Sequence, residues 1–166
     1  MYTKDLPFVV DTPENAAQIL HYFHDFHDGF IKRISLESLD YFNEKIKGDV
    51  MSRSLTLTGE FQLKIDIAHY NYGAGQIPFN RGVCLLFDEF YDLDLKQVQG
   101  SEKDWMINEI SFDRISRPLD TDAAFSEQLF QFSWKKPVYD HQDGWSERML
   151  NLFGFSKALI WEEDWR

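Results

Sequence analysis

The sequence has few residues of the kinds that cross-link a chain or hold it in a membrane. Cysteine occurs once in 166 residues, at Cys84, which excludes an intramolecular disulfide. Its neighbours Val83, Leu85 and Leu86 predict a buried thiol that packs as a small hydrophobic side chain. No apolar run approaches the roughly 20 residues of a membrane span, and Met1–Asp5 lacks the basic-then-apolar order of a signal peptide. We therefore expect a soluble protein of a reducing compartment, with the cytoplasm as the default.

Basic residues are also scarce. Lysine and arginine number 17 against 28 aspartates and glutamates, which gives a net charge of −11. Binding to a phosphate backbone depends on Lys and Arg, so nucleic acid is not an expected ligand. The same charge favours a basic protein partner through electrostatic steering. An immunity-type inhibitor of a basic toxin fits this charge, and the oligomeric state stays open.

Signatures of catalysis are missing. The chain has no Gly-rich phosphate loop, no His-Glu-x-x-His, no Cys-x-x-Cys and no Gly-x-Ser-x-Gly. Asp92-Leu93-Asp94 has the first spacing of a calcium loop but lacks its glycine and terminal glutamate. An apolar surrounding makes Cys84 a poor nucleophile because it raises the thiol pKa. We expect no cofactor, assign no catalytic residue, and favour a protein that is not an enzyme.

Aromatic residues, in contrast, are abundant. They include 15 Phe, 7 Tyr and 5 Trp and make up 16% of the chain. Since each ring can bury a large area, the simplest interpretation is an aromatic core within a single domain that spans residues 1–166. The alternative is a recognition surface, for instance a carbohydrate-binding module that uses Trp105, Trp145 or Trp165.

A helix is predicted from Pro13 to His27. Thr12 supplies a capping hydroxyl, Pro13 suits the first helical position, and Gly29 can close the helix. One face of this helix carries apolar side chains, namely Ala16, Ile19, Leu20, Phe23 and Phe26.

Alternating apolar residues predict strands over much of the remaining sequence. Phe61–Ile67 shows the pattern most clearly, with Lys64 and Asp66 on the water-facing side. The apolar run Val83–Phe87 suits a central strand. A three-residue turn would pair Leu57 with Phe61 in a hairpin.

The C-terminal part of the chain has a mixed pattern. Met106–Phe112 and Phe130–Trp134 alternate as strands, and Ala158–Trp161 suits a last strand. The segment from Asp143 to Gly154 predicts a short helix, because it has an aspartate at its start and a glycine at its end. The expected fold is α+β, a mainly antiparallel sheet of six to seven strands with an N-terminal amphipathic helix and a short C-terminal helix.

The most unusual stretch is residues 21–28, which repeat Phe-His-Asp and hold three of the five histidines. On a continuous helix, His21, His24, Asp25 and Asp28 form one polar stripe. These side chains could bind a divalent metal, so a metal-binding protein or metal-dependent hydrolase is the alternative function. A solvated polar face explains the same stripe more simply, and His27 would lie on the apolar side as a core residue.

The order Phe26-His27-Asp28, followed by Ile31 and Ile34 in a strand, resembles the opening of a set of small uncharacterised bacterial proteins rich in β-structure. Residues 61–67 and 83–87 fit the next strands of that set. The resemblance implies a mostly antiparallel fold. It implies no established activity, cofactor or catalytic residue.

Overall fold

The computed structural model describes residues 8–47, 50–57, 60–69, 81–95, 105–119 and 122–164. These ranges contain one α-helix, α1 (Pro13–Tyr22), one 3₁₀ turn (His24–Phe26) and eleven strands. The strands are β1 (Phe8–Val10), β2 (Phe30–Ser38), β3 (Tyr41–Lys47), β4 (Val50–Thr56), β5 (Phe61–His69), β6 (Arg81–Phe87), β7 (Phe90–Tyr91), β8 (Glu109–Leu119), β9 (Asp122–Asp140), β10 (Gly144–Phe155) and β11 (Ala158–Asp164).

Helix α1 begins where the sequence predicts. Thr12 Oγ1 accepts a hydrogen bond from the Asn15 amide at 3.2 Å, and Asn15 Oδ1 accepts one from the Thr12 amide at 3.1 Å. This reciprocal pair satisfies amides that have no partner inside the helix. Ala16 and Ile19 are buried, as the apolar stripe predicts. The helix ends at Tyr22 rather than at His27.

The strands form three antiparallel sheets. The first has five strands in the order β1-β11-β6-β5-β2, the second has four in the order β7-β10-β9-β8, and β3 pairs only with β4 in a two-stranded ribbon. Adjacent strands are antiparallel in all three.

The five-stranded and four-stranded sheets share one hydrophobic core. Phe87 on β6 contacts three rings of the other sheet, with centroid distances of 5.9, 4.8 and 4.9 Å to Phe132, Phe153 and Phe155. Such edge-to-face contacts suit the charge distribution of the rings. The abundant phenylalanines therefore fill the space between two sheets.

Residues Trp105–Asn108 connect the two large sheets, and we call this segment the strap. Its backbone bonds to the start of β2 through Ile31 N to Trp105 O at 3.0 Å and Ile107 N to Gly29 O at 2.9 Å. On its other side, Asn108 N donates to Lys135 O at 2.9 Å. The Trp134 indole also donates to Met106 O at 2.9 Å. The strap thus fixes β2 of one sheet against β9 of the other.

The predicted fold class is wrong. The described residues hold eleven strands in three sheets and a single α-helix, instead of one sheet of six to seven strands with two helices. An alternating pattern indicates which side chains face inward, but it does not indicate how many sheets share the interior. A second sheet covers the apolar face of the first.

The predicted C-terminal helix is also wrong, because residues 144–155 form β10 and pair with β9 along their length. Asp143 lies instead in the turn that joins these strands, and Gly144 is the first residue of β10. Their preference for turns is satisfied equally well by a hairpin.

The hairpin that would pair Leu57 with Phe61 does not form. Phe61 pairs with Ser38 on β2, and Leu55 pairs with Phe42 on β3. The ribbon β3–β4 is therefore an insertion between two paired strands, β2 and β5. None of the described helices is long and apolar enough to cross a lipid bilayer.

The central position of Phe87 predicts that its removal destabilises the fold. Phe87→Ala should lower the free energy of unfolding by about 3–5 kcal/mol, because it leaves a cavity between the sheets. Phe61→Ala is the matched control, since Phe61 is 47% exposed, and it should cost less than about 1 kcal/mol. Urea denaturation measures both values. Equal losses for the two variants would contradict the assignment of the core.

Candidate functional site

The hairpin of β9 and β10 ends in two exposed aromatic rings. Tyr139 and Trp145 are cross-strand partners with ring centroids 5.1 Å apart, and they are 54% and 74% exposed. The His141 ring contacts Tyr139 edge-on at 5.5 Å. Contact between the rings stabilises the hairpin, but it does not account for an indole that remains largely in water.

The turn that carries these rings is well ordered by hydrogen bonds. Asp140 Oδ1 accepts from the amides of Gln142 at 2.6 Å and Asp143 at 3.3 Å, an arrangement typical of aspartate in turns. Gly144 has φ of +78°, which suits glycine. The rings are therefore presented on a fixed support.

A pocket of about 560 Å³ lies beside Trp145. We call it the tip pocket, and its lining residues are Met106, Asn108, Pro137, Trp145, Ser146 and Glu147. Its walls combine an indole, a thioether and a proline ring with one carboxylate. This mixture of apolar walls and a few polar groups is typical of binding sites.

Hydrogen bonds connect the tip pocket to the Phe-His-Asp segment. Asn108 Nδ2 donates to Glu147 Oε1 at 3.1 Å, and the His27 Nδ1–H donates to the Asn108 carbonyl at 2.8 Å. His27 Nε2 lies 3.5 Å from Asp28 Oδ1. The strap therefore joins the unusual sequence motif to the exposed hairpin.

The backbone of the Phe-His-Asp segment turns in the left-handed sense. His24, Asp25, Phe26 and Asp28 have φ of 51°, 54°, 57° and 64°. Histidine and aspartate tolerate this region better than most residues, whereas phenylalanine does so rarely. Phe26 is fully buried and stacks on Phe23 at 5.0 Å, so packing in the core offsets the strain in the backbone.

Negative charge dominates where this turn meets β8 and β9. Burial raises the pKa of Asp25, and the charge of Glu109 raises it further, against the opposing effect of nearby histidines. Lys135 Nζ lies 2.8 Å from Glu109 Oε2. The pKa of Lys135 is raised because Glu109 accepts its hydrogen bond and because Glu109 and Glu147 add negative charge. The carboxylates around Lys135 therefore stabilise its charged form.

The turn also packs against a buried histidine. His69, at the end of β5, is 3% exposed, and neither ring nitrogen makes a hydrogen bond of good geometry. Its ring contacts Phe26 at 5.6 Å and Phe23 at 6.4 Å. A Cβ at Gly29 would approach His69 Cδ2 to 3.3 Å, so the glycine gives the imidazole its space. Burial lowers the pKa of His69 to about 4.

The structure does not place the four predicted metal ligands on one helix. His21 is in α1, His24 and Asp25 are in the left-handed turn, and Asp28 follows it. In the ranges that the structure describes, no group of three or more His, Cys, Asp or Glu side chains could hold a metal ion. The prediction that His27 lies in the core is wrong, because its side chain is 59% exposed.

Cys84 is buried, as the sequence predicts. Burial raises the pKa of its thiol, and the carboxylate of Asp66 raises it further. Asp66 itself was expected to face water but is only 1% exposed, with Oδ2 2.7 Å from the Arg33 guanidinium. This pairing compensates a buried charge.

Of the three tryptophans considered for carbohydrate binding, Trp145 is the exposed one among the described residues. Trp105 packs against the core and lies 6.3 Å from Trp134, while Trp165 lies outside the described residues. Sequence reasoning missed Tyr139 and Glu147, because the helix predicted from Asp143 to Gly154 included Glu147 and the strand partner of Tyr139, Trp145. The signal for them was Asp143-Gly144, which occurs in hairpin turns.

The left-handed turn makes a prediction about glycine. Asp25→Gly should be more stable than Asp25→Ala by about 1 kcal/mol, since alanine pays the full steric cost of a positive φ. The order should reverse at Glu37, an exposed position on β2, where glycine weakens a strand. Thermal or urea unfolding of the four variants measures this difference. The same order at both positions would contradict the turn geometry.

His69 makes a prediction about pH. Its ordinary pKa of 6.5 falls to about 4 in the fold. Between pH 6.5 and 4, His69 therefore binds a proton in the unfolded chain but not in the folded one. Stability contributed by the neutral ring is complete above pH 6.5 and is lost as the pH falls toward 4. The free energy of unfolding should decrease by about 2.5 kcal/mol from this group between pH 7 and 4.5.

In the variant His69→Leu, the free energy of unfolding should decrease less between pH 7 and 4.5, because the imidazole that titrates is gone. His21→Leu, on the exposed side of α1, should keep the full decrease. Urea titrations at several pH values compare the slopes of stability against pH for the two variants. An unchanged slope in His69→Leu would show that the imidazole is accessible to protons in the folded protein.

Comparison with known proteins gives no relative from which a function could be transferred. No family model matches the sequence, and neither the curated proteins nor the solved structures contain a significant match. The resemblance to small bacterial β-rich proteins therefore stays a prediction, and the function has to be argued from the site.

Proposed function

We propose that this chain is a non-enzymatic protein-binding domain of the bacterial cytoplasm that holds a basic protein partner on its hairpin tip. The observation that carries the proposal is Trp145, which is 74% exposed at the rim of the tip pocket. Its neighbour Tyr139 is 54% exposed and enlarges the apolar area.

The chemistry of the tip suits a protein interface. Tryptophan and tyrosine are enriched among the residues that contribute most to binding energy, because they bury a large area with few rotatable bonds. The Asp140 turn fixes the rings before a partner arrives, so little conformational freedom is lost on binding.

Charge supports the choice of a basic partner. The chain carries −11 in total, and Glu147 places part of that charge beside Trp145 in the lining of the tip pocket. Complementary charge accelerates association and excludes acidic competitors. An immunity-type role toward a basic toxin fits this combination.

The cellular setting follows from composition and from the resemblance. The lone Cys84 is buried and suits a reducing compartment. The Phe26-His27-Asp28 segment resembles bacterial sequences. The metal stripe gains no comparable observation. Exposed Trp145 also suits the carbohydrate alternative, but the neighbouring Tyr139 ring lies at 58° to the indole and gives no flat platform for a sugar.

A photo-crosslinking experiment tests the proposal. A p-benzoylphenylalanine side chain replaces Trp145 or Tyr139, and the chain is irradiated in lysate of its own organism. We expect one dominant crosslinked product with a basic protein, identified by mass spectrometry. With that protein purified, Trp145→Ala should weaken binding by about tenfold or more in calorimetry.

The matched control places the same photoreactive group at Lys157, an exposed position between β10 and β11. It should give little of the product. Equal crosslinking at Lys157, or a purified partner whose affinity is unaffected by Trp145→Ala, would exclude the hairpin tip as the binding surface.

A further inference from the structure

The side chains that line the tip pocket indicate which kind of ligand it binds. Trp145, Met106 and Pro137 supply its apolar walls, and Glu147 supplies a carboxylate. The hydrogen bond from Asn108 Nδ2 to Glu147 Oε1, 3.1 Å long, holds that carboxylate on the strap side of the pocket. A neutral apolar ligand would remove water from this carboxylate and offer it no counter-charge.

Positive charge is already stabilised on this face. Lys135 lies on β9 beside Pro137 and forms a 2.8 Å ion pair with Glu109. The negative charge of Glu147 contributes to the raised pKa of Lys135. Since the Lys135 ammonium is already paired with Glu109, the Glu147 carboxylate in the pocket lining is available to attract a cation, with the Trp145 indole as a further favourable surface.

We infer that the tip pocket takes an arginine side chain of the partner, and this inference rests on the proposed protein-binding function. A guanidinium is planar, so it can stack on the Trp145 ring while its N–H groups donate to the Glu147 carboxylate. Its aliphatic stem can lie against Met106 and Pro137. A volume of about 560 Å³ also leaves room for the neighbouring backbone of the partner.

Arginine is favoured over lysine and over a sugar for physical reasons. Lysine carries a strongly hydrated ammonium that cannot stack as a plane. A neutral sugar could stack on the indole and donate a hydroxyl to Glu147, but it would bring no positive charge to that carboxylate. The tilt of 58° between Tyr139 and Trp145 also gives no flat double platform for a pyranose.

The test is a titration followed by NMR of the ¹⁵N-labelled indole groups. The probes are N-acetyl-arginine amide, N-acetyl-lysine amide and N-acetyl-citrulline amide, the last being the neutral isostere of the first. The Trp145 signal is assigned with Trp145→Phe. We expect the arginine probe to shift this signal with an affinity about tenfold higher than the citrulline probe at low salt, with lysine between them.

Two variants provide the controls. Glu147→Gln should reduce the preference for arginine over citrulline to about twofold or less, because it removes the charge and keeps the shape. Glu37→Gln removes the same charge from an exposed position on β2 and should leave the preference unchanged. Trp145 and Glu147 are both exposed, so the variants should unfold at the temperature of the wild type.

The outcomes separate the inference from the proposed function. Equal affinity for arginine and citrulline, or a shift produced only by neutral oligosaccharides, would overturn the arginine pocket. If crosslinking still identified a protein partner at position 145, the protein-binding function would stand without it. If crosslinking failed as well, both would fall.

Discussion

The structure depends on the strap, residues 105–108, because it is the place where two sheets and the unusual turn are fixed together. Its backbone pairs with Gly29 and Ile31 on one side and with Lys135 on the other. Buried amides and carbonyls need such partners, so the strap satisfies them while it sets the position of β2 against β9. The Trp134 indole, bonded to Met106 O, adds a contact from the core.

The left-handed turn follows from this arrangement. Since Gly29 must approach both the strap and β5, the chain reverses within a few residues of the end of α1. The cost in backbone strain is offset by burying Phe26 against Phe23 and His69. Glycine would adopt a positive φ with less strain than His24, Asp25 or Phe26. The presence of these side chains is a reason to connect the turn with function.

Function, in our proposal, uses the outer side of the same connection. Asn108 bonds through its side chain to Glu147 and through its carbonyl to His27. The strap therefore holds the hairpin through Glu147, and the hydrogen bonds of Asp140 stabilise the turn at its end. A rigid aromatic surface with a carboxylate at its edge is suited to recognising a cation with an apolar stem, which is the chemistry of an arginine side chain.

The start of α1, a strand over residues 61–67, the central strand with buried Cys84 and the last strand could be predicted from the sequence, because capping and alternation are local properties. Tertiary structure decided the rest. The partner of each strand, the second sheet and the left-handed turn depend on contacts between distant residues, and Asp143-Gly144 suits a helix cap and a hairpin equally well. For the same reason, the candidate site at Trp145 and Glu147 emerged only when β9 and β10 were paired.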